Sequence, residues 1–366
     1  MFDTRAPQAP PFCPNPQCHF HRSDPVRWHF VRDGCFSRHR PPRVVQRYRC
    51  LHCRRRFSDQ TFRTSYWLRR PELLAPVFWR LVGGSGFRQI AREFGVSPAT
   101  PLTHAARLGR HCWLVHEQLR PRGPVAEPLA LDSFISFELS QYHPTAFHLA
   151  AGTHSHFLYG FTDSELRRSG RMTARQRRRR AVLEARHGRP HPRAAEHAVA
   201  ELLAIVAPAP QTLALHSDEH TDYPRALRRL PHLTVAHRTT SSRAARTARN
   251  PLFAINLIDL LIRHSGANHK RETIAFSKRR QSAAERLAVF LVWRNYIKSF
   301  SERARDGTPA MGLGLLVRPL TVPELLARRW FPSRVVLPEP WARYYRREVT
   351  TRRIAHCTTH RLRYAA

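Results

Sequence analysis

Three aspartates interrupt apolar segments of the sequence, at positions where a charged side chain is unfavourable. Asp132 lies in the strand-like run LALDSFISF, Asp218 directly follows TLALHS, and Asp259 lies inside the helical run INLIDLLI. An isolated buried carboxylate costs several kcal/mol unless a cation or hydrogen bonds compensate it. Carboxylates are preferred ligands of Mg²⁺, and two such ions about 3.5–4 Å apart promote hydrolysis or transfer of phosphodiesters. We therefore predict that these aspartates are catalytic residues that bind two magnesium ions.

Each aspartate also has a simpler interpretation. Asp132 could be a half-exposed strand residue and Asp218 a turn residue, with Glu219 as the ligand in its place. Asp259 lies four residues before Arg263, a spacing that forms an ion pair on one face of a helix. The ion pair and the metal site predict different effects of removing the Asp259 carboxylate.

Two close cysteine pairs near the start of the chain match the ligand pattern of a zinc ribbon. CPNPQC places four residues between Cys13 and Cys18, and RYRCLHC places two between Cys50 and Cys53. Tetrahedral zinc needs four ligands, and each pair supplies two thiolates from one tight turn. Metal binding would stabilise a segment that is too small to have a core of its own. We therefore expect one structural Zn²⁺ here.

Other interpretations of the cysteines remain open. The four could be reduced cysteines without a metal, and His19 or His21 could replace a cysteine as ligand. The other three cysteines stand alone in the sequence and are expected to be ordinary small side chains: Cys35, Cys112 and Cys357.

The segments around the aspartates follow a definite order. Alternating apolar patterns predict strands, and apolar residues at helical spacing predict helices. The predicted strands are 129–137, 145–153, 156–162, 212–217 and 233–237, and the predicted helices are 193–207, 251–266 and 281–301. The first acid lies on the first strand, the second follows the fourth strand, and the third lies on a later helix. This is the order found in a ribonuclease-H-like sheet. In that arrangement, neighbouring strand ends and a packed helix bring the acids together.

Residues 87–108, FRQIAREFGVSPATPLTHAARL, predict a helix-turn-helix. Gly95 supplies the tight turn, and Ser97 caps the second helix with Pro98 at its first position. A plain helical hairpin is the alternative, because Pro101 fits poorly even in a first turn. The residues at the start of the second helix would contact the major groove: Ser97, Ala99, Thr100 and Thr103.

The charge balance predicts a polyanionic partner. The chain has 366 residues, with 62 Lys and Arg against 26 Asp and Glu, so its formal net charge is +36. Double-stranded DNA is the expected partner, because each basic side chain placed on a phosphate releases a counterion. The Arg-rich stretch 164–193 would be either a solvated loop or a contact to flanking or non-target DNA. Its candidate DNA-binding residues are Arg177, Arg178, Arg179 and Arg180.

The order of these motifs resembles that of bacterial insertion-sequence transposases with a DDE catalytic domain. CPNPQC with RCLHC, then RQIAREFGVSPAT, LALDSF, SDEHTDY and HKRETIAFSK carry the resemblance, over roughly residues 13–300. It implies a ribonuclease-H-like domain, Mg²⁺ dependence, and binding to the terminal inverted repeats of a mobile element. It also implies strand transfer to target DNA by an oligomer. In short relatives a Glu lies near the position of Asn256, one turn before Asp259, so the third acid is shifted here or is Asp rather than Glu; Glu272 is a further alternative.

The sequence thus predicts a multidomain α/β protein in four segments. These are a zinc ribbon (1–65), a helix-turn-helix domain (66–120), a ribonuclease-H-like mixed sheet flanked by helices (121–303, with the insertion 164–193) and a basic C-terminal extension (304–366). The predicted activity is DNA transposition. A non-catalytic DNA-binding regulator or defective element product is the alternative, and a structure-specific or RNA-directed nuclease is a third possibility.

The apolar segments also bear on where the protein acts. The start of the sequence has no apolar signal core, and the longest apolar runs are too short to span a membrane. We therefore expect no membrane partner and a bacterial cytoplasmic protein that is associated with the nucleoid.

Overall fold

The computed structural model describes residues 9–22, 25–39 and 41–357. The outer ends of the predicted ribbon and of the predicted C-terminal extension, 1–8 and 358–366, lie outside the described residues. The described chain forms a three-stranded sheet and a five-stranded mixed sheet, and helices flank the larger one. The prediction of a multidomain α/β protein with a mixed sheet flanked by helices is confirmed at this level.

The small sheet is antiparallel and has an aromatic core. Its strands, in spatial order, are β1 (Phe30–Ser37), β2 (Val44–Cys50) and β3 (Arg56–Ser58). Rings from the N-terminal segment fill the space beside the sheet, and Phe331 joins them from the far end of the chain. The Phe331 ring centroid lies 5.2 Å from that of Phe12, in an edge-to-face arrangement. The small sheet is therefore completed by the C-terminal segment.

Three helices follow the small sheet: α1 (Leu74–Val82), α2 (Phe87–Glu93) and α3 (Ala99–Leu119). The turn between α2 and α3 contains Gly95 with a φ of +59°, a conformation that favours glycine. Pro101 is accepted in the first turn of α3, because backbone N–H groups there have no intrahelical acceptor. The helix continues well beyond the predicted 97–108, since most residues of its second half are buried.

The five-stranded sheet consists of β4 (Leu129–Phe137), β5 (Pro144–Gly152), β6 (Leu158–Glu165), β7 (Gln211–Ser217) and β8 (Leu233–Thr239). The spatial order is β6-β5-β4-β7-β8. The β6–β5 and β5–β4 pairs are antiparallel, whereas the β4–β7 and β7–β8 pairs are parallel. All five strands were predicted from the sequence, with boundaries that differ by at most a few residues.

Five helices follow in this part of the chain: α4 (Ala174–His187), α5 (Ala194–Val206), α6 (Asp222–Leu227), α7 (Phe253–Ser265) and α8 (Arg280–Val292). Helix α5 packs on β5 and β6, and α7 packs on β4 and β5. Helix α5 lies against β6, where Thr162 Oγ1 donates to the Ala198 carbonyl at 2.6 Å. Helix α8 packs against α3, and Gly109 permits the close approach. A Cβ at this position would lie only 2.5 Å from the Glu285 carbonyl oxygen.

The Arg-rich stretch forms a helix where it was expected to be either a loop or a DNA contact. Thr173 caps α4, and its hydroxyl accepts from the Gln176 N–H at 3.2 Å. All 14 residues of α4 are described, and none is buried. The solvated-loop interpretation is therefore wrong for residues 174–187, because a capped helix presents these arginines in a regular array.

The C-terminal segment holds the parts of the molecule together. It contains α9 (Pro309–Gly312), α10 (Val322–Ala327) and α11 (Glu339–Arg346). The Trp341 ring stacks 4.9 Å from Trp113 of α3, and its Nε1 donates to the Phe161 carbonyl of β6 at 3.0 Å. One hydrophobic core thus runs from α1 through the sheet to α11. Across the described residues, no helix has the length and apolar character to cross a bilayer.

Candidate metal centre and acidic site

The four predicted cysteines converge into one cluster. Their Sγ atoms lie within 4.8 Å of one another; three of the four residues are buried, and Cys53 is half-buried. Cys13 and Cys53 are 3.5 Å apart, and Cys18 and Cys50 are 4.0 Å apart. Four sulfurs around a tetrahedral zinc, each about 2.3 Å from it, stand about 3.8 Å from one another. The cluster therefore has the dimensions and the donor set of a four-thiolate metal site.

The surroundings of Cys50 favour its deprotonated form. Trp28 Nε1 donates to the Cys50 sulfur at 3.3 Å. Burial raises the pKa of this thiol, but hydrogen bonds from the Cys53 backbone, from Trp28 and from the His52 backbone outweigh burial and lower the pKa to about 7. Because the thiolate is the form that binds a metal, Cys50 is prepared for that role.

The alternative histidine ligands do not join the cluster. His21 Nδ1 donates to the Cys13 carbonyl at 2.7 Å, so its Nε2 accepts from the Ser333 hydroxyl at 2.8 Å. Both ring nitrogens of His21 are therefore engaged in structural hydrogen bonds. His19 also stands outside the group of four ligands.

The sheet brings two of the aspartates side by side. In the parallel β4–β7 pair, Ala130 lies opposite His216. Two residues further along each chain, this register places Asp132 level with Asp218, which directly follows β7. The strand pairing itself thus aligns these two carboxylates at one end of β7.

Helix α7 brings the third aspartate to the same face. Asp132 and Phe134 share one face of β4, because side chains alternate along a strand. The Arg263 guanidinium of α7 lies over the Phe134 ring, 5.7 Å from its centroid. Asp259 is one turn earlier on α7, and its carboxylate accepts from Arg263 Nε at 2.9 Å. The ion pair suggested by the sequence is therefore present.

The electrostatics of Asp132 reflect the other two acids. Burial raises its pKa, the Ser133 N–H lowers it, Asp218 and Asp259 raise it, and Arg246 lowers it, with a result of about 6. The Ser133 N–H donates to Asp132 Oδ1 at 2.7 Å. A cation among these carboxylates would relieve both their desolvation and their mutual repulsion.

The three aspartates are less tightly gathered than the cysteines. Within the described part of the chain, the cysteine quartet is the only group of three or more candidate ligands within 4.8 Å. Like charges repel, and Arg263 holds Asp259 to its own helix. The donors are hard carboxylate oxygens, which suit Mg²⁺, but the three carboxylates do not surround one common point as the four sulfurs do.

A basic cleft adjoins Asp259. Its volume is about 530 Å³, and the helix α7 residues Asn256 and Asp259 form part of its wall. Four cationic side chains also line it: Arg246, Arg263, Lys270 and Arg271. A cleft with four cations beside a carboxylate suits a phosphodiester, because the cations attract the phosphate and the acid stands next to it.

The alternative acids occupy other surroundings. Glu219 is exposed at the turn after β7, and Glu272 is exposed in the loop after α7. Asp222 lies at the start of α6 and is 3.4 Å from His220. Asn256 lines the same cleft as Asp259, one turn earlier on α7. The position expected to hold the Glu of the relatives therefore does face this cleft, with an amide in place of the acid.

The predicted DNA-contact residues lie at the surface. Ser97, Ala99 and Thr103 are exposed, and Thr100 is half-buried, at the start of α3. Arg177, Arg178 and Arg179 are exposed on α4. Arg180 is half-buried, and its Nη1 donates to the Arg168 carbonyl at 2.8 Å, so it also supports the fold of the insertion.

Some residues near the aspartates carried too weak a sequence signal to be identified. Behind β4, the Ser133 hydroxyl contacts His148 Nδ1 at 2.7 Å, and His148 Nε2 contacts the Ser164 hydroxyl at 2.9 Å. This polar chain links β4, β5 and β6 beneath Asp132. Arg246 lowers the pKa of Asp132 through its charge. It lies in a loop that nothing in the sequence except its basic composition distinguishes.

Comparison with known proteins adds little to these observations. No family model matches the chain, and no curated protein matches it. Among solved structures, the chain is similar to one described as "CryoEM structure of simian T-cell lymphotropic virus intasome in complex with PP2A regulatory subunit B56 gamma". The identity is 13%, over 67% of this chain and 74% of that chain, with a TM-score of 0.27. A similarity of this size is too low to indicate a shared fold.

Proposed function

We propose that the protein is a DNA transposase of the DDE type, which cleaves the ends of a mobile element and joins them to target DNA. The register of β4 against β7 carries this proposal, because it aligns Asp132 with Asp218 on neighbouring parallel strands. The order and directions of the five strands, with α7 across β4, support a ribonuclease-H-like assignment of this sheet.

In this proposal Asp132, Asp218 and Asp259 hold the catalytic metal. When bound, a pair of Mg²⁺ ions supplies Lewis-acid stabilisation of the attacking and leaving oxygens of the phosphodiester. The buried strand β4 fixes Asp132, and the hydrogen bond from the Ser133 N–H orients its carboxylate. Asp259 would hold a metal either after leaving Arg263 or while its carboxylate is shared with Arg263.

The basic cleft would hold the DNA strand. Arg246, Lys270 and Arg271 line this cleft. Among the described residues, none of these three forms an ion pair with a carboxylate, so their charges are available to phosphates. Phosphate contacts position the strand and carry no sequence information. The arginines of α4, from Arg177 to Arg180, extend the same sequence-independent affinity over a larger surface.

The remaining predicted segments would bind and organise DNA. The cysteine cluster holds one structural Zn²⁺ in the ribbon, and the start of α3 reads the terminal repeats as the second helix of a helix-turn-helix. The division into 1–65, 66–120, 121–303 and 304–366 separates these tasks. Two element ends handled together require an oligomer on DNA, which would place the protein with the bacterial nucleoid.

The test uses the full chain, Mg²⁺, and duplexes that carry the DNA flanking its coding region. Denaturing gels should show Mg²⁺-dependent nicks at a defined position, and a supercoiled plasmid should gain covalently joined ends. EDTA should abolish both products. Cleavage without joining would instead indicate a nuclease, and the absence of both products in Mg²⁺ and in Mn²⁺ would contradict the proposal.

A second candidate function is a DNA-binding regulator without catalysis. The ion pair between Asp259 and Arg263 favours it, because the third acid already has a partner in the protein. This candidate predicts specific binding to the same flanking DNA with no metal-dependent cleavage. A gel-shift experiment and a cleavage assay on one protein preparation distinguish the two functions.

A further inference from the structure

Helices α5 and α6 form an arginine-lined pocket that shares no residue with the basic cleft. Its volume is about 410 Å³. All of its lining residues are described, and four of the five are arginines: Arg193, Glu196, Arg225, Arg228 and Arg229. Arg193 directly precedes α5, and the other three arginines lie in α6 or directly after it. None of the five belongs to the predicted metal, catalytic or DNA-binding residues.

The acid of this pocket neutralises only one of its arginines. Glu196 is buried, and its carboxylate accepts from Arg229 Nε at 2.5 Å. Burial raises the pKa of Glu196, but the hydrogen bond from Arg229 and the charges of Arg229 and Arg193 outweigh burial and lower the pKa. Glu196 is therefore ionised at neutral pH. Four arginines against one carboxylate leave an excess of three positive charges.

The other three arginines have no acidic partner in the described part of the chain. Arg193, Arg225 and Arg228 are exposed, and none of them forms an ion pair with a described carboxylate. Helix α5 begins beside them, and no side chain caps its first N–H groups. Those groups carry a partial positive charge that adds to the charge of the arginines. The pocket therefore offers donors and positive charge to an anion from outside the chain.

This pocket and the basic cleft belong to opposite faces of the five-stranded sheet. Side chains alternate along β5, so Phe147 and His148 point to opposite faces. The Phe147 ring stacks 5.2 Å from that of Phe134, which α7 covers. His148 lies opposite Thr162 of β6, and Thr162 donates to the Ala198 carbonyl of α5. Because α5 and α7 lie on opposite sides of the sheet, a phosphate held in the cleft cannot reach this pocket.

The chemistry of the lining residues indicates what the pocket binds. Guanidinium groups hold phosphate oxygens with two parallel hydrogen bonds. None of the five lining residues is aromatic or apolar, so the pocket has no side chain on which a base could stack. Phosphate contacts of this kind carry no sequence information. The pocket therefore suits a phosphate backbone, whose successive phosphates can meet several exposed arginines.

We propose that this pocket binds the phosphate backbone of a second DNA segment, separate from the strand in the basic cleft. Three arginines without a carboxylate match about three backbone phosphates, because each contact pairs one charge with one phosphate. The partner, DNA, comes from the proposed function, but binding at this pocket does not require cleavage. An enzyme that joins one DNA end to another duplex must hold two segments, and the two faces of the sheet supply separate sites for them.

The first experiment measures whether the full chain holds two duplexes at once. A biotinylated duplex on beads is saturated with protein in EDTA, washed, and offered a labelled second duplex at several salt concentrations. The double variant Arg225→Gln/Arg228→Gln should bind the second duplex about tenfold or more weakly at about 0.1 M salt, with a salt slope lower by about two. Arg303→Gln/Arg305→Gln removes the same charge from exposed positions elsewhere and should match wild type.

Glu196→Gln changes the same pocket in the opposite direction. It removes the one negative charge and releases Arg229, so the second duplex should bind more tightly, with a salt slope steeper by about one. Arg225 and Arg228 are exposed, so their double variant keeps the test valid if Glu196→Gln does not fold. Equal affinities for the second duplex in wild type and in the double variant would overturn the site.

Chemical modification of arginine then identifies the occupant. In EDTA, DNA should suppress phenylglyoxal modification of Arg193, Arg225 and Arg228, measured by mass spectrometry, and should leave Arg303 reactive. Protection by inorganic pyrophosphate and not by DNA would show a site for a small free anion and overturn the assignment to DNA. A protein that holds two duplexes in EDTA but never cleaves in Mg²⁺ would contradict the proposed function and support this pocket. Cleavage with full modification of these arginines would do the reverse.

Discussion

The cysteine cluster and the aspartate cluster are two candidate metal sites in one chain, assembled to different degrees. Four sulfurs lie within 4.8 Å of one another, whereas the three carboxylates do not reach that spacing as a set. The thiols are mostly buried in an aromatic core. The acids lie within β4, directly after β7 and on α7, where Asp259 lines an open cleft.

The difference follows from the charge of the ligands. Burial raises the pKa of the Cys13 and Cys18 thiols and keeps them neutral, so the four sulfurs can pack together before a metal arrives. Carboxylates at neutral pH repel, and Asp259 takes a positive partner from its own helix. A structural site is therefore closed by folding, whereas a catalytic site of this kind is completed by its ions and substrate.

The largest expected effect lies in the aspartate cluster. Asp132→Asn and Asp218→Asn should each lower Mg²⁺-dependent cleavage by several orders of magnitude. When catalytic residues act as one unit, removing one of them costs about as much activity as removing all of them. DNA binding in a gel-shift assay should survive. Asp222→Asn changes an acid four residues after Asp218 and should cleave normally. Near-normal cleavage by Asp132→Asn would remove the basis of the proposed active site.

The Asp259→Asn variant tests whether the open cluster is a metal site at all. If Asp259 binds the metal, cleavage should fall as far as in Asp132→Asn, while stability is kept or rises because repulsion decreases. If it serves only Arg263, stability should fall by about 0.3–0.5 kcal/mol and cleavage should persist. Urea unfolding and the cleavage assay together decide. In the second case Asn256 and Glu272 become the positions to examine.

The Cys50→Ser variant tests the closed cluster. The purified wild type should contain about one zinc per chain, and the variant should lose it. Protease sensitivity should increase in residues 9–62, while the five-stranded sheet keeps its circular dichroism signal. Cys35→Ser alters an exposed cysteine of the same small sheet and should retain the metal. A metal-free wild type would show that the four thiols are only a packed core.

Acid should lower the stability of the whole protein in a graded way. Burial lowers the pKa of His116, His148 and His269 to about 3 each. An unfolded chain binds these protons near pH 6.5, so below that pH the unfolded state holds more protons than the native state. Stability is complete above about pH 6.5 and falls by about 1.4 kcal/mol per histidine per pH unit below it.

Urea midpoints at pH 7 and pH 5.5 measure this effect. His269→Gln removes one of the titrating groups, so its stability should depend on pH with a slope lower by about one proton. A flat stability between these two pH values would contradict neutral burial of the three rings.

Local patterns in the sequence predicted most of the sheet. Runs such as LALDSFISF alternate in polarity, and their strands form where expected. Asp132 and Asp218 were identifiable because a charge inside an apolar run stands out. The pairing of Asp259 with Arg263 was visible from its spacing of four residues.

Long-range contacts could not be predicted in the same way. Phe331 completes the core of the small sheet from more than 250 residues beyond its strands, and nothing in its neighbouring residues marks that contact. Arg246 lies in a basic loop that resembles many others in this arginine-rich chain. A small pocket lined by Arg107, Arg110 and Arg329 likewise depends on segments of the chain that meet only in the folded protein.

Helix α3 connects the two ends of the proposed activity. Its 21 residues span about 30 Å, close to one turn of double-stranded DNA. Its N-terminal end carries Thr100 and Thr103, and its far end is fixed where His116 contacts the Tyr296 hydroxyl and the Tyr159 carbonyl, each at 3.0 Å. If the N-terminal end of α3 binds a base sequence, the distance along the DNA from that sequence to the cleavage position would therefore be constant. Moving the recognised sequence by one base pair would move the cut by the same step.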